Sequence, residues 1–125
     1  MKVVYIAGPF RGKTAWDVER NVRRAESWSM RVAEAGAVPL CPHTMFRYFN
    51  GTLTDEFWLR ATLYLLRKCD GAVFIPFWEE SVGARGEWME AGQLLLPRWA
   101  WSQEKRSSEE ENDRSFLDFM QVLTR

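Results

Sequence analysis

Residues 2–14 read K-V-V-Y-I-A-G-P-F-R-G-K-T, and the fold follows from how this stretch is divided. Its first part, V-V-Y-I-A at 3–7, is apolar, largely β-branched or aromatic, and does not alternate with polar residues. That pattern suits a strand covered on both faces, which is the habit of parallel sheets. Two further runs share it: A-V-P-L-C at 37–41 and A-V-F-I-P-F at 72–77. The stretch ends on Thr14, a helix-capping residue followed three positions later by Asp17, which completes a capping box. A helix is therefore expected over about 15–35, with Val18, Val22, Ala25, Trp28 and Val32 as its apolar stripe and Gly36 as its stop.

A second helix is expected over about 55–69, acidic at its start and basic at its end as the helix dipole favours, burying Leu59, Leu63 and Leu66. A third follows the third strand, over about 82–95, and R-W-A-W at 98–101 reads as a fourth, short strand. Strands alternating with helices imply an α/β fold: a three-layer open parallel sheet of four to five strands, Rossmann- or flavodoxin-like, with helices on both faces. At 125 residues with 46% hydrophobic content, one domain over 1–125 is expected. The polar run at about 102–113 reads as a solvated loop. Beyond it Phe116, Leu117, Met120 and Leu123 recur at helical spacing, predicting a short helix at about 114–124.

Charge narrows the partners. Lys plus Arg and Asp plus Glu both number 17. A neutral chain offers no general attraction to a nucleic-acid backbone, though one or two placed cations can still hold a small anion. Cys41 and Cys69 match no metal-ligand spacing and suggest a reduced compartment. No apolar stretch approaches the ~20 residues of a membrane span, and the start is too soon interrupted by Pro and charge for a signal peptide. A cytoplasmic protein is expected.

Ligands of open parallel sheets bind at the carboxyl ends of the strands. Two loops leave such ends with unusual sequences: G-P-F-R-G-K-T after the first strand and F-W-E-E-S-V-G-A-R-G-E after the third. The first misses a nucleotide-hydrolase P-loop by one residue, because Ala7 stands where that motif needs glycine. In the second, Ser81, Gly83 and Gly86 lead into a helix whose first turns could receive an anion. Glu87 then reads either as a nucleophile kept ionised by the helix dipole or as an ordinary acidic residue near a helix start. His43, the only histidine, lies at the ligand end of the second strand. Trp78 can stack on a base or anchor the core, and Arg85 can meet a phosphate or sit on a helix surface.

Y-I-A-G-P-F-R-G, followed some 70 residues later by S-V-G-A-R-G-E-W-M-E-A, resembles the nucleoside 2-deoxyribosyltransferase superfamily. The likeness is greatest to its small phage and bacterial branch and covers about 2–96. That superfamily includes the 2′-deoxynucleoside 5′-phosphate N-hydrolases. The resemblance implies that Glu87 attacks the anomeric carbon, that Tyr5 hydrogen-bonds this nucleophile, and that Ser81 helps to hold a 5′-phosphate. It further implies that the first loop, matched at Gly8 and Arg11, cradles sugar and phosphate. Pro9 and Phe10 of that loop, with His43, Trp78, Gly83 and Arg85, are further substrate-binding candidates by their own positions in the chain. No cofactor and no metal are implied, and a homodimer or homotetramer is expected.

One position departs from that pattern. Where the transferases carry an Asp on the second helix to protonate the leaving base, this chain carries Thr62. Asp55 lies two helical turns away, about 10 Å, and cannot simply replace it; Glu79, Glu80 and a residue of a partner subunit are the other candidates to supply the proton. Two functions thus stand open. One is cleavage or transfer of the N-glycosidic bond of a 2′-deoxynucleoside or its 5′-monophosphate, favoured by Glu87 with Tyr5. The other is non-catalytic, regulatory nucleotide binding in the same pocket, favoured by Thr62.

Overall fold

The computed structural model describes residues 1–104 and 108–125. Four strands, β1 (Val3–Ala7), β2 (Val38–Leu40), β3 (Gly71–Phe74) and β4 (Arg98–Ala100), pair in parallel in the order β2-β1-β3-β4. Val3 lies opposite Val38, Val4 opposite Gly71 and Ala72 opposite Arg98. Around them stand α1 (Ala15–Glu34), α2 (Pro42–Met45), α3 (Asp55–Arg67), α4 (Val82–Gln93) and α5 (Glu109–Leu123).

Strand periodicity divides the core in two. Val4, Ile6, Val73 and Ile75 point to one face and pack with Ala25, Trp28 and Val32 of α1 and with Phe116 and Met120 of α5. Tyr5, Ala7, Ala72 and Phe74 point to the other, against Leu66 of α3 and Ala91 of α4. This is the expected three-layer open parallel α/β sheet. In β1 and β3 the absence of alternation has a plain cause, both faces being covered. The edge strand β2 is not covered in this way, since Val38 is 42% exposed and Pro39 and Leu40 are half-buried. On the α1 side the Trp28 ring meets Trp99, Trp101 and Phe116 at centroid distances of 5.5, 5.8 and 5.2 Å. Each such pair is worth about 0.5–1.5 kcal/mol beyond its buried area.

The caps follow the sequence. Thr14 caps α1, accepting from the Asp17 amide, while the Asp17 carboxylate accepts from Thr14. The G-K-T run is therefore the entry to a helix.

Four expectations need correction. First, α5 begins at Glu109, five residues before the predicted 114. The Ser108 hydroxyl accepts from the Glu111 amide and the Glu111 carboxylate accepts from Ser108, a second capping box inside the presumed loop. Three glutamates then meet the positive helix end. Of that presumed loop, residues 105–107 lie outside the described residues. Second, Leu59 is 46% exposed, whereas Leu66 on the same helix is fully buried. Third, β3 stops at Phe74, because Pro76 and a left-handed Phe77 (φ 70°) turn the chain aside. Fourth, residues 42–49 form α2 and a 3-10 turn at Arg47–Phe49, both unanticipated. Among the described residues no helix is long and apolar enough to cross a membrane.

Candidate functional site

The chain leaves β1 toward β2 on one side and returns to β3 on the other, so the loops after β1 and β3 diverge. A cavity of about 780 Å³ opens at these carboxyl ends, where strand order favours ligand binding. Three buried polar side chains line it: Tyr5 from β1, His43 from α2 and Glu87 from α4, at 1%, 6% and 9% exposure.

Glu87 is the sixth residue of α4, beyond the turn in which a helix dipole acts strongly. Burial pushes its carboxyl up to about 7; the Tyr5 hydrogen bond and the His43 charge pull it down less. This corrects the expectation of a carboxylate kept ionised by the dipole: desolvation wins. Its Oε2 is buried without a hydrogen-bond partner. The Tyr5 hydroxyl is itself held well above its ordinary pKa, by burial first and then by Glu87. Thr62 lines the same cavity, its hydroxyl partnering Tyr5 and donating to the Leu59 carbonyl at 3.0 Å.

The loop after β1 is shaped by two side chains from elsewhere. His43 Nε2 faces the carbonyls of Gly8 and Pro9 at 3.1 and 3.0 Å, so that nitrogen carries the proton and donates. Nδ1 is left toward Cys41 Sγ at 3.9 Å. Asn21 Nδ2 donates to the carbonyls of Phe10 and Arg11 at 3.1 and 3.2 Å. Gly8 admits no side chain, because a Cβ there would lie 2.4 Å from Ile75 Cγ1. Arg11 reaches the cavity but pairs with Asp55, also a lining residue, at 2.7 Å. Across the cavity Ser81 caps α4, its Oγ accepting from the Ala84 amide at 3.1 Å, and Gly83 follows it in the lining.

Gly8, Pro9, Phe10, Arg11, His43, Ser81 and Gly83 therefore line one cavity with Tyr5 and Glu87. Two candidates do not join them. Trp78 packs on Phe74 and Trp88, and its indole donates to the Trp101 carbonyl at 3.2 Å. It is a core anchor; the left-handed turn presents Phe77 to the cavity instead. Arg85 lies on the exposed side of α4, donating to the Glu79 carbonyl at 3.2 Å. Glu80 lines the cavity and Glu79 does not.

Sequence reasoning missed Asn21, Arg24, Phe46, Trp58 and Phe77, all of which line the cavity. A signal existed for the first two, since residues three apart on α1 share a face. Phe46 lies in a stretch whose structure was not foreseen, and its ring meets that of Trp58, on the anticipated second helix, at 5.1 Å with a tilt of 41°.

A family model described as Domain of unknown function (DUF7768) matches residues 2–99. No curated protein matches the chain.

Proposed function

Because the chain belongs to the DUF7768 family, whose description assigns no function, we propose from the site itself that it cleaves or transfers the N-glycosidic bond of a 2′-deoxynucleoside or its 5′-monophosphate. The observation that carries this reading is the buried, unpartnered Oε2 of Glu87, in a ligand-sized cavity beside the Tyr5 hydroxyl. An ionised Glu87 oxygen attacks C1′, the C1′–N bond breaks, and its electron pair leaves with the base. The base takes a proton from solvent or from Glu80, and a glutamyl–deoxyribosyl ester remains. Water, or a second base, then attacks C1′ and releases the carboxylate, with configuration retained. Tyr5 steadies the carboxylate, while Phe46, Trp58 and Phe77 offer faces for a planar base. The direct test is to mix the protein with deoxynucleosides and their monophosphates and assay free base. Binding without release would move the conclusion to the regulatory reading, which Thr62 favours.

The pH dependence follows from Glu87. Only its ionised form is a nucleophile, so kcat/KM for base release should climb tenfold per pH unit below about 7 and level off above it. Stability runs the other way. The folded state holds this proton up to about pH 7 and the unfolded chain only to about 4.5. The stability linked to it is fully present below about pH 4.5 and is lost as pH rises through 7. A rate profile flat from pH 5 to 8 would contradict this assignment.

Assembly as a homodimer or a dimer of dimers belongs to the same proposal. The tryptophans give little support, since Trp28 and Trp99 are buried. Better support comes from α4, where Val82, at the cavity rim, and Met89, seven residues on, are 73% and 65% exposed and share a face. Sedimentation at micromolar concentration should give a dimer or tetramer, and a monomer would refute the assignment.

A further inference from the structure

Five charged side chains line the cavity: Arg11, Arg24, Asp55, Glu80 and Glu87. Arg11 is already neutralised by two contacts to Asp55, at 2.7 and 2.9 Å. Among the described residues, Arg24 is the lining cation with no carboxylate in ion-pair range. It is also held in place. Its Nη1 donates to Asn21 Oδ1 at 3.2 Å, and the Asn21 amide in turn grips the Phe10 and Arg11 carbonyls. Its guanidinium lies over the Phe77 ring, 4.7 Å from the centroid. That ring is put there by the φ of 70° at Phe77, a left-handed conformation that bulky residues rarely adopt and that clusters at ligand sites.

The geometry points to Arg24 as the residue that recognises a phosphate monoester on the ligand, with Asn21 and Phe77 as its positioning residues. This rests on the nucleoside reading above and deepens it: the substrate is the 5′-monophosphate rather than the free nucleoside. A guanidinium fixed through one nitrogen keeps its remaining N–H groups for phosphate oxygens, and little side-chain freedom is lost on binding. The N-terminal end of α4, at Ser81, faces the same space and adds its dipole. Burial and the neighbouring Arg20 charge both press against the charge on Arg24, a strain that an anion relieves. Glu80 sets the upper limit. Its carboxylate lines the cavity within electrostatic reach of Arg24, so a diphosphate or triphosphate would bring more negative charge than one free cation can balance.

The test is calorimetric, using a deoxynucleoside, its 5′-monophosphate and inorganic phosphate against the wild type, Arg24→Gln and Arg24→Lys. The wild type should bind the monophosphate about 10- to 100-fold more tightly than the nucleoside, the worth of a charge-assisted hydrogen bond. Arg24→Gln should bring the ratio near one, and a cooperative thermal melt should show that the variant is folded. Arg24→Lys, with the charge but not the fork, should fall between. A monophosphate preference that survives in Arg24→Gln overturns the inference and leaves the glycosidic reading standing. If neither nucleoside nor nucleotide binds, yet phosphate binds the wild type and not Arg24→Gln, the anion site stands and the glycosidic reading falls. Binding of none of the three overturns both.

Discussion

Glu87→Ala should lose base release by a factor on the order of 10⁴–10⁶, the scale seen when a covalent nucleophile is removed. Among the described residues that line the cavity, no other carboxylate stands in its place: Asp55 is tied to Arg11, and Glu80 comes from the turn before Ser81. The fold should survive. A carboxyl whose pKa is raised to about 7 by burial opposes folding once it is ionised, so at pH 8 the variant should melt no lower than the wild type. Glu87→Gln keeps the shape and supplies the second control, retaining nucleotide binding without turnover. Base release by either variant at the wild-type rate would end the covalent mechanism.

Thr62→Asp should have the opposite effect, a gain. A positioned general acid contributes about 10²–10⁴-fold, and Thr62 lines the cavity with its hydroxyl on Tyr5, the same tyrosine that holds Glu87. Two carboxyls sharing one tyrosine cannot both ionise readily, so one titrates high and the other low, which is the division of labour an acid and a nucleophile need. The variant should release base faster and melt lower than the wild type. The gain should be largest for adenine and cytosine nucleotides, if their ring nitrogens take the proton. An unchanged rate with a lower melting temperature would show that the proton already reaches the base by another route.

What the chain reveals before folding depends on how local each signal is. The strands at 3–7 and 72–74 were legible because burial on both faces removes every polar residue from them. The entry to α1 was legible because Thr14 and Asp17 make their two hydrogen bonds within one turn. The same signal stood at Ser108 and Glu111 and was hidden by the surrounding charge. Within the site, glycines and acids next to strand ends were readable, but Trp78 and Phe77 exchanged roles over a single backbone dihedral. Nothing in the letters P-F-W announces a left-handed phenylalanine. Arg24 has five arginine or lysine neighbours in sequence between 11 and 31, and only the fold shows that it and Arg11 face the cavity while Asp55 engages Arg11.

The packing of α5 has a consequence for how this chain comes into being. The family likeness ends at residue 99, yet Phe116 and Met120, fully buried or nearly so, close the layer that Trp28 and Trp99 begin. The matched stretch is therefore shorter than the unit that closes this core. On a ribosome, β1 to β4 all emerge before the segment that covers one side of their sheet. Until Glu109–Leu123 arrives, a tryptophan-rich surface stays open to water and to other nascent chains. Completion of this layer is thus timed to the emergence of Glu109–Leu123, and that helix acts as its latch.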